Sequence, residues 1–362
     1  MQIVKDRRQL HRIPELELCL PKTMAYLKNS LSGLNCRVFS PMESSLCAFF
    51  DFGKDRSIAF RADCDALPIY EKSDAPYCST HQGNMHACGH DGHMAILLEL
   101  ARRLSGKTDL SHNVLLIFQP GEESPGGAKL LCATGILEEY AVKAIFGLHL
   151  WPGLAEGQVF CREQEQMARA SEVTVDIYGK SAHIARPDKG LDALAAAVAF
   201  YTRVRELERS LPETVFRLLN FGKLHAGTAR NALSDHAHIE GTLRAFQDDI
   251  FEQLRDSICA IGANVESQSG CRVQIHFSDG YPAVINPPEL YRKVRGLVDF
   301  STFDQPYMTA EDFSCYQKQV PGLFFFLGLG DVPALHTDHF DFNEAILSKG
   351  ADFFEKLAEK FL

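Results

Sequence analysis

A chain of 362 residues exceeds what one hydrophobic core usually serves, so two domains are expected. Its 46% hydrophobic and 23% charged residues describe an ordinary folded protein, and a formal net charge of -10 with no basic run argues against a nucleic-acid partner. The charged start MQIVKDRR lacks the apolar segment of an export signal, and the longest apolar runs, such as GLFFFLGLG at 322–330, are too short to cross a bilayer. No nucleic acid, no membrane and a cytoplasmic location are therefore expected. Eleven cysteines, an odd number without a Cys-x-x-Cys pair, read as reduced thiols in the same compartment.

In chain order, SIAFRA at 57–62, NVLLIFQ at 113–119 and AIFGLHL at 144–150 are short and apolar on both faces. Such runs are central strands of a helix-covered sheet. Helical spacing over 94–104 and 127–137 separates them, which is α/β patterning. From about Ala170 the style changes: SEVTVDIY at 171–178 alternates polar and apolar residues, as a strand with one wet face does. A helix over 191–211, capped by Asp192, strands over 215–224 and 236–246, a helix over 249–265 and a strand over 272–277 follow. Their order is that of the ferredoxin-like βαββαβ unit. The chain then returns to its first style through 322–330 and a terminal helix. The expected fold class is α/β: a helix-covered mixed-sheet domain of residues 1–169 and 282–362, with a ferredoxin-like α+β domain inserted at 170–281.

The segment HQGNMHACGHDGH at 81–93 holds four of the fourteen histidines together with Cys88 and Asp91, just ahead of a helix-forming run. Soft and borderline ligands at that density suggest a transition metal. Acid or imidazole also recurs wherever an apolar strand ends: Asp63 and Asp65, Glu122 and Glu123, His149, and His336. In open α/β sheets, ligands bind in the crevice outside the carboxyl ends of the strands. The adjacent glutamates suggest a division of labour, one binding metal and the other moving protons, although a solvated acidic loop is the plainer fate of such a pair.

RRQLHRIPELEL, RADCDALP, MHACGHDGH, LIFQPGEE, GLHLWP, GKSAHIARPDKGLDA and LHTDHFDFNE occur in this order along nearly the whole chain. Together they resemble the dinuclear-metal amidohydrolases of the aminoacylase, hippurate hydrolase and indole-acetyl-amino-acid hydrolase family, which includes N-acetyl-diaminopimelate deacetylase. The resemblance implies two divalent ions (zinc, manganese or cobalt) on Cys88, His90, Glu123, His149 and His336, with Glu122 as general base. It implies that Asp63 orients a ligand and that His183, commonly from the neighbouring subunit, stabilises the oxyanion. It gives Asn231 and Arg244 the grip on a substrate carboxylate. The inserted domain becomes a lid and the seat of a homodimer. The implied substrate is a small N-acyl amino acid, with N-acetyl-L,L-diaminopimelate of lysine biosynthesis singled out. A dipeptidase or carboxypeptidase, or a non-catalytic metal-dependent binding protein, are the alternatives. His81, His86 and His93 fall outside the implied ligands, His339 is a rival to His336, and Gly121 stands where this group usually has alanine.

Overall fold

The three apolar runs pair side by side in one sheet of the computed structural model, which describes residues 1–361. Its seven strands lie in the order Arg37–Phe39, Leu46–Phe50, Asn113–Gln119, Ser57–Asp63, Val142–Trp151, Gly322–Gly328 and Val159–Phe160. The four central strands run parallel and the flanking pairings are antiparallel, so the sheet is mixed. Every residue of Ser57–Asp63, Asn113–Gln119 and Gly322–Gly328 is buried, which is why these strands read as apolar runs interrupted only by Arg61 and by polar residues at their ends. The helix His90–Ser105 covers the sheet with Ile96, Leu97, Leu98 and Leu100 buried. The helical pattern at 127–137 resolves into two helices, Gly127–Ala133 and Ile136–Glu139, because Gly135 turns the chain at φ +76°.

The chain divides into two units. One comprises Met1–Gln166, Val284–Pro306 and Asp312–Leu362; the other comprises Met167–Ala283 and Tyr307–Glu311. Residues 307–311, which carry no strand signal, belong to the smaller unit because the Ala168 N–H donates to Tyr307 O and Thr309 O at 3.1 and 2.9 Å in two places along that segment. The smaller unit is a four-stranded antiparallel sheet in the order Arg272–Phe277, Arg169–Tyr178, His236–Ala245, Arg217–Ala226. That spatial order and the helices Ala193–Ser210 and Asp248–Ser269 give the ferredoxin-like arrangement. Val173, Val175, Ile177, Ala237, Ile239 and Leu243 point inward to Phe200, Val204, Phe251 and Ile258 of the helices, so the strands alternate dry and wet. Asp192 caps the first helix by accepting from the Ala195 N–H at 3.1 Å.

Candidate metal centre

The larger unit gathers the implied ligands at the carboxyl ends of its parallel strands. Cys88 precedes the helix His90–Ser105, and Gly89 between them sits at φ +85° as its N-cap. A side chain at Gly89 would be strained there and would bring a Cβ to 3.2 Å from Leu150. The turn it permits lets Cys88 and His90, on either side of it, both approach Glu123. Cys88 Sγ lies 3.5 Å from His149 Nε2 and 3.3 Å from His336 Nε2. His336 Nε2 lies 3.2 Å from Glu123 Oε1. Ligand atoms of Cys88, Glu123 and His336 all fall within 4.8 Å of one another, as do those of His90, Glu122 and Glu123. His336 holds a left-handed φ of +62°, and its N–H donates to Ala87 O at 2.9 Å, tying its loop to the cysteine's.

Backbone carbonyls set the tautomers. His90 Nδ1 faces Asp65 O at 2.8 Å and His149 Nδ1 faces Leu150 O at 2.7 Å, so each of these nitrogens carries the proton. Each ring therefore presents an unprotonated Nε2 to the interior, the form in which imidazole binds metal. Among the described residues, the buried His90 Nε2 and Glu123 Oε1 have no hydrogen-bond partner of good geometry. Burial, and the charges of Glu123, Glu122 and Asp63 beside it, push the Cys88 thiol well above its ordinary pKa. Orphaned lone pairs and a thiol crowded by carboxylates are what divalent cations compensate, so these residues fit such ions.

Around the ligands stands a layer of fixed partners. Asp63 accepts from His93 Nδ1 at 2.5 Å and from Arg61 Nη1 at 2.7 Å. Burial favours its neutral acid, yet the Arg61 guanidinium and the hydrogen bond from His93 hold Asp63 well below the usual carboxylate range. His93 Nε2 in turn accepts the Leu150 N–H at 2.8 Å. Asp63 thus reaches the implied ligand His149 at second hand, through His93, which holds the N–H of Leu150, the residue whose carbonyl holds His149 Nδ1. Arg61 also donates to Gln119 and Asp312, which closes a buried network beneath the site.

Asp65 carries a role that sequence reading did not assign. Its two carboxylate oxygens accept the N–H groups of Glu122 and Glu123 at 2.9 and 3.0 Å, so one buried acid positions both glutamates. The clue was its place two residues beyond Asp63 at a strand end. Of the remaining histidines, His81 is held by Pro14 O and Lys22, His86 is buried outside the ligand groups, and exposed His339 pairs with Asp338. In the smaller unit the Ile184 N–H donates to Asn231 O at 3.0 Å and His183 bridges Ala232, so His183 and Asn231 share one exposed loop pair. Arg244 stands on the sheet, its Nη1 donating to Met308 O at 2.6 Å.

The profile of Peptidase family M20/M25/M40 matches residues 59–360 of this chain. The chain is 34% identical over 373 residues to an uncharacterised hydrolase of Staphylococcus saprophyticus, covering 99% of this chain and 97% of that protein. Its structure is similar to that of a methicillin-resistant Staphylococcus aureus protein put forward as an aminohydrolase, with a TM-score of 0.91, 28% identity and coverage of 99% and 96% of the two chains. It is also similar to a dinuclear metal-binding peptidase of Bacillus subtilis, with a TM-score of 0.86, 27% identity and the same coverage, 99% and 96%.

Proposed function

The chain belongs to Peptidase family M20/M25/M40 and is a hydrolase of that family, and on this premise we propose that it hydrolyses the amide bond of an N-acyl amino acid, most simply an N-acetyl one. The observation that carries the reading is the placement of Glu122, whose carboxylate lies within 4.8 Å of ligand atoms of both His90 and Glu123. The B. subtilis neighbour is a dinuclear metal-binding protein, which supports a pair of ions here. Cys88, His90, Glu123, His149 and His336 would hold two divalent ions, zinc, manganese or cobalt, whose Lewis acidity makes water nucleophilic near neutral pH and polarises the amide carbonyl.

Glu122 takes the proton of the attacking water and returns it to the amine nitrogen, because an amide anion is too poor a leaving group to depart without it. Asp65 keeps this acid in register by clamping its backbone N–H. His183 supplies a donor to the tetrahedral oxyanion, the group that gains charge in the transition state. Asn231 and Arg244 hold the substrate's free carboxylate, a planar anion that suits a guanidinium. The smaller unit acts as a lid and pairs two copies of the chain. N-acetyl-L,L-diaminopimelate is the first substrate to try, and dipeptides form the second arm because the B. subtilis neighbour is a peptidase.

Metal-loaded protein is to be assayed for amine release from a panel of N-acetyl and N-benzoyl amino acids and dipeptides. Release from the acyl amino acids is expected, with Glu122→Gln lowering kcat about 10²- to 10⁴-fold while metal content stays the same. Release from dipeptides alone would move the reading to a peptidase. No turnover of any amide, or full activity of Glu122→Gln, would overturn it.

A further inference from the structure

The turn that carries Glu122 and Glu123 is closed at its ends by backbone and held in its middle by one side chain. Gly121 O accepts the N–H groups of both Gly126 and Gly127, at 2.9 and 2.8 Å, which ties the start of the turn to the helix Gly127–Ala133. Between those points the N–H groups of Glu122 and Glu123 run in succession onto Asp65, each on its own carboxylate oxygen at 2.9 and 3.0 Å. Asp65 makes a third contact through its main chain, where its carbonyl faces His90 Nδ1 at 2.8 Å. The proposed base, the implied ligand beside it and the tautomer of a second implied ligand thus all refer to one residue.

Asp65 is itself fixed from both sides. The strand Ser57–Asp63 ends two residues before it, and the Ala66 N–H just after it donates to Glu15 O at 2.8 Å. Its side chain is fully buried. Asp63 shares its charge with the Arg61 guanidinium at 2.7 Å, whereas among the described residues Asp65 has no arginine or lysine partner. Its two oxygens therefore serve the amides, as charge-assisted hydrogen bonds.

We propose that Asp65 is a positioning residue for the hydrolysis: by holding the Glu122–Glu123 peptide against the strand end that also fixes His90, it sets the base relative to the ligands. The proposal rests on the reading of Glu122 as that base. A carboxylate is required because it only accepts. Asparagine has the same shape but offers one oxygen and one NH2 group, so it satisfies one of the two successive amides and turns a donor on the other. No rotation of the side chain repairs this, since both of its positions face an N–H. A reacting group displaced by about 1 Å loses on the order of 10²-fold in rate.

The test uses the full chain at saturating zinc or manganese, with the acyl amino acid that wild type hydrolyses fastest. Asp65→Asn is expected to lower kcat about 10²-fold with KM changed less than about threefold, while elemental analysis finds the wild-type metal content. Added to Glu122→Gln, the same replacement is expected to cost less than about threefold more, because a residue acting through the base then has nothing left to position. A general structural defect would instead multiply the two losses. Amide hydrogen exchange of the unaltered protein supplies a reading that needs no variant to fold, with the Glu122 and Glu123 N–H groups expected to exchange slowly. Multiplied losses, metal lost from Asp65→Asn at saturation, or fast exchange at both amides would overturn the role. Wild-type kcat in Asp65→Asn beside an inactive Glu122→Gln would remove it and leave the reading of the base intact. Full activity of Glu122→Gln would overturn both.

Discussion

Gly121 shows how a single residue tunes the centre. It precedes Glu122 at φ +68°, and a Cβ there would stand 2.7 Å from Leu18 Cδ2 and 3.2 Å from Ser124 O. The family resemblance places alanine at this position, but in this chain Leu18 and the left-handed turn exclude it. Gly121→Ala is therefore expected to cost about 1–3 kcal/mol of stability and to displace Glu122, lowering kcat more than it raises KM. Urea unfolding and steady-state kinetics check both parts, and a variant as stable and active as wild type would refute the crowding. Glu122, Glu123 and His336 stood out in the sequence because acid or imidazole is unusual where an apolar run ends, and Cys88 because it lies in a histidine-rich segment. Asp65 stood out with them, but its role did not, because its work is to accept two amides that only the folded turn aims at it.

At the scale of an element, the first helix, Gln2–His11, reaches the ligand loop through charge. Arg7, fully buried, donates to Asp91 at 2.8 Å, and His11 Nδ1 lies 2.8 Å from the same Asp91 oxygen. Asp91 follows the implied ligand His90, so this helix end braces the start of the helix that presents it. His11 Nε2 also meets Glu71 at 3.2 Å. Burial lowers the His11 pKa, but hydrogen bonds to Asp91 and Glu71 outweigh it and hold the ring at about 9. A pKa raised on folding from 6.5 to about 9 means that the stabilisation is complete below pH 6.5 and is lost as pH rises through 9. Thermal unfolding between pH 6 and 10 is expected to show wild type losing up to about 3 kcal/mol across that window, with His11→Asn losing less. Parallel curves for the two proteins would remove His11 from the network. RRQLH was visible as a motif at the chain start, but not its partner, which lies 84 residues away from Arg7.

For the whole molecule, two consequences can be measured. The five implied ligands come from segments near residues 88, 123, 149 and 336, so ions joining them act as cross-links of the larger unit. Chelation is expected to lower Tm, and readdition of zinc or manganese to restore it. Metal at 100 times its dissociation constant contributes about 2.7 kcal/mol. A Tm indifferent to chelator would count against binding in the folded state. The second consequence concerns the proposed pairing of two chains. Leu194, Val198 and Tyr201, one helical face of Ala193–Ser210, are 43%, 52% and 39% exposed, a stripe better suited to a partner surface than to water. Light scattering is expected to find a dimer, and Val198→Glu a monomer of unchanged Tm. A monomeric wild type at every concentration would end that proposal. Among the described residues no helix is long and apolar enough to cross a membrane, and all eleven cysteines are free thiols.

Hydrophobic periodicity by itself marked the central strands, the long helices and the change of style at the inserted unit, since most residues buried on both faces of a sheet are apolar; the short strands Arg37–Phe39, Leu46–Phe50 and Val159–Phe160 left no such signal. Residue chemistry likewise marked the metal-competent positions. Only the tertiary structure decided which partners share a hydrogen bond: Asp65 with the two glutamates, His93 with Leu150, Asp176 with two histidines, and residues 307–311 with the smaller unit. Periodicity is a local property, set by the neighbours within a turn or a pleat. A hydrogen bond between residues far apart in sequence exists only once the backbone has brought them within about 3 Å, and no local pattern records that distance.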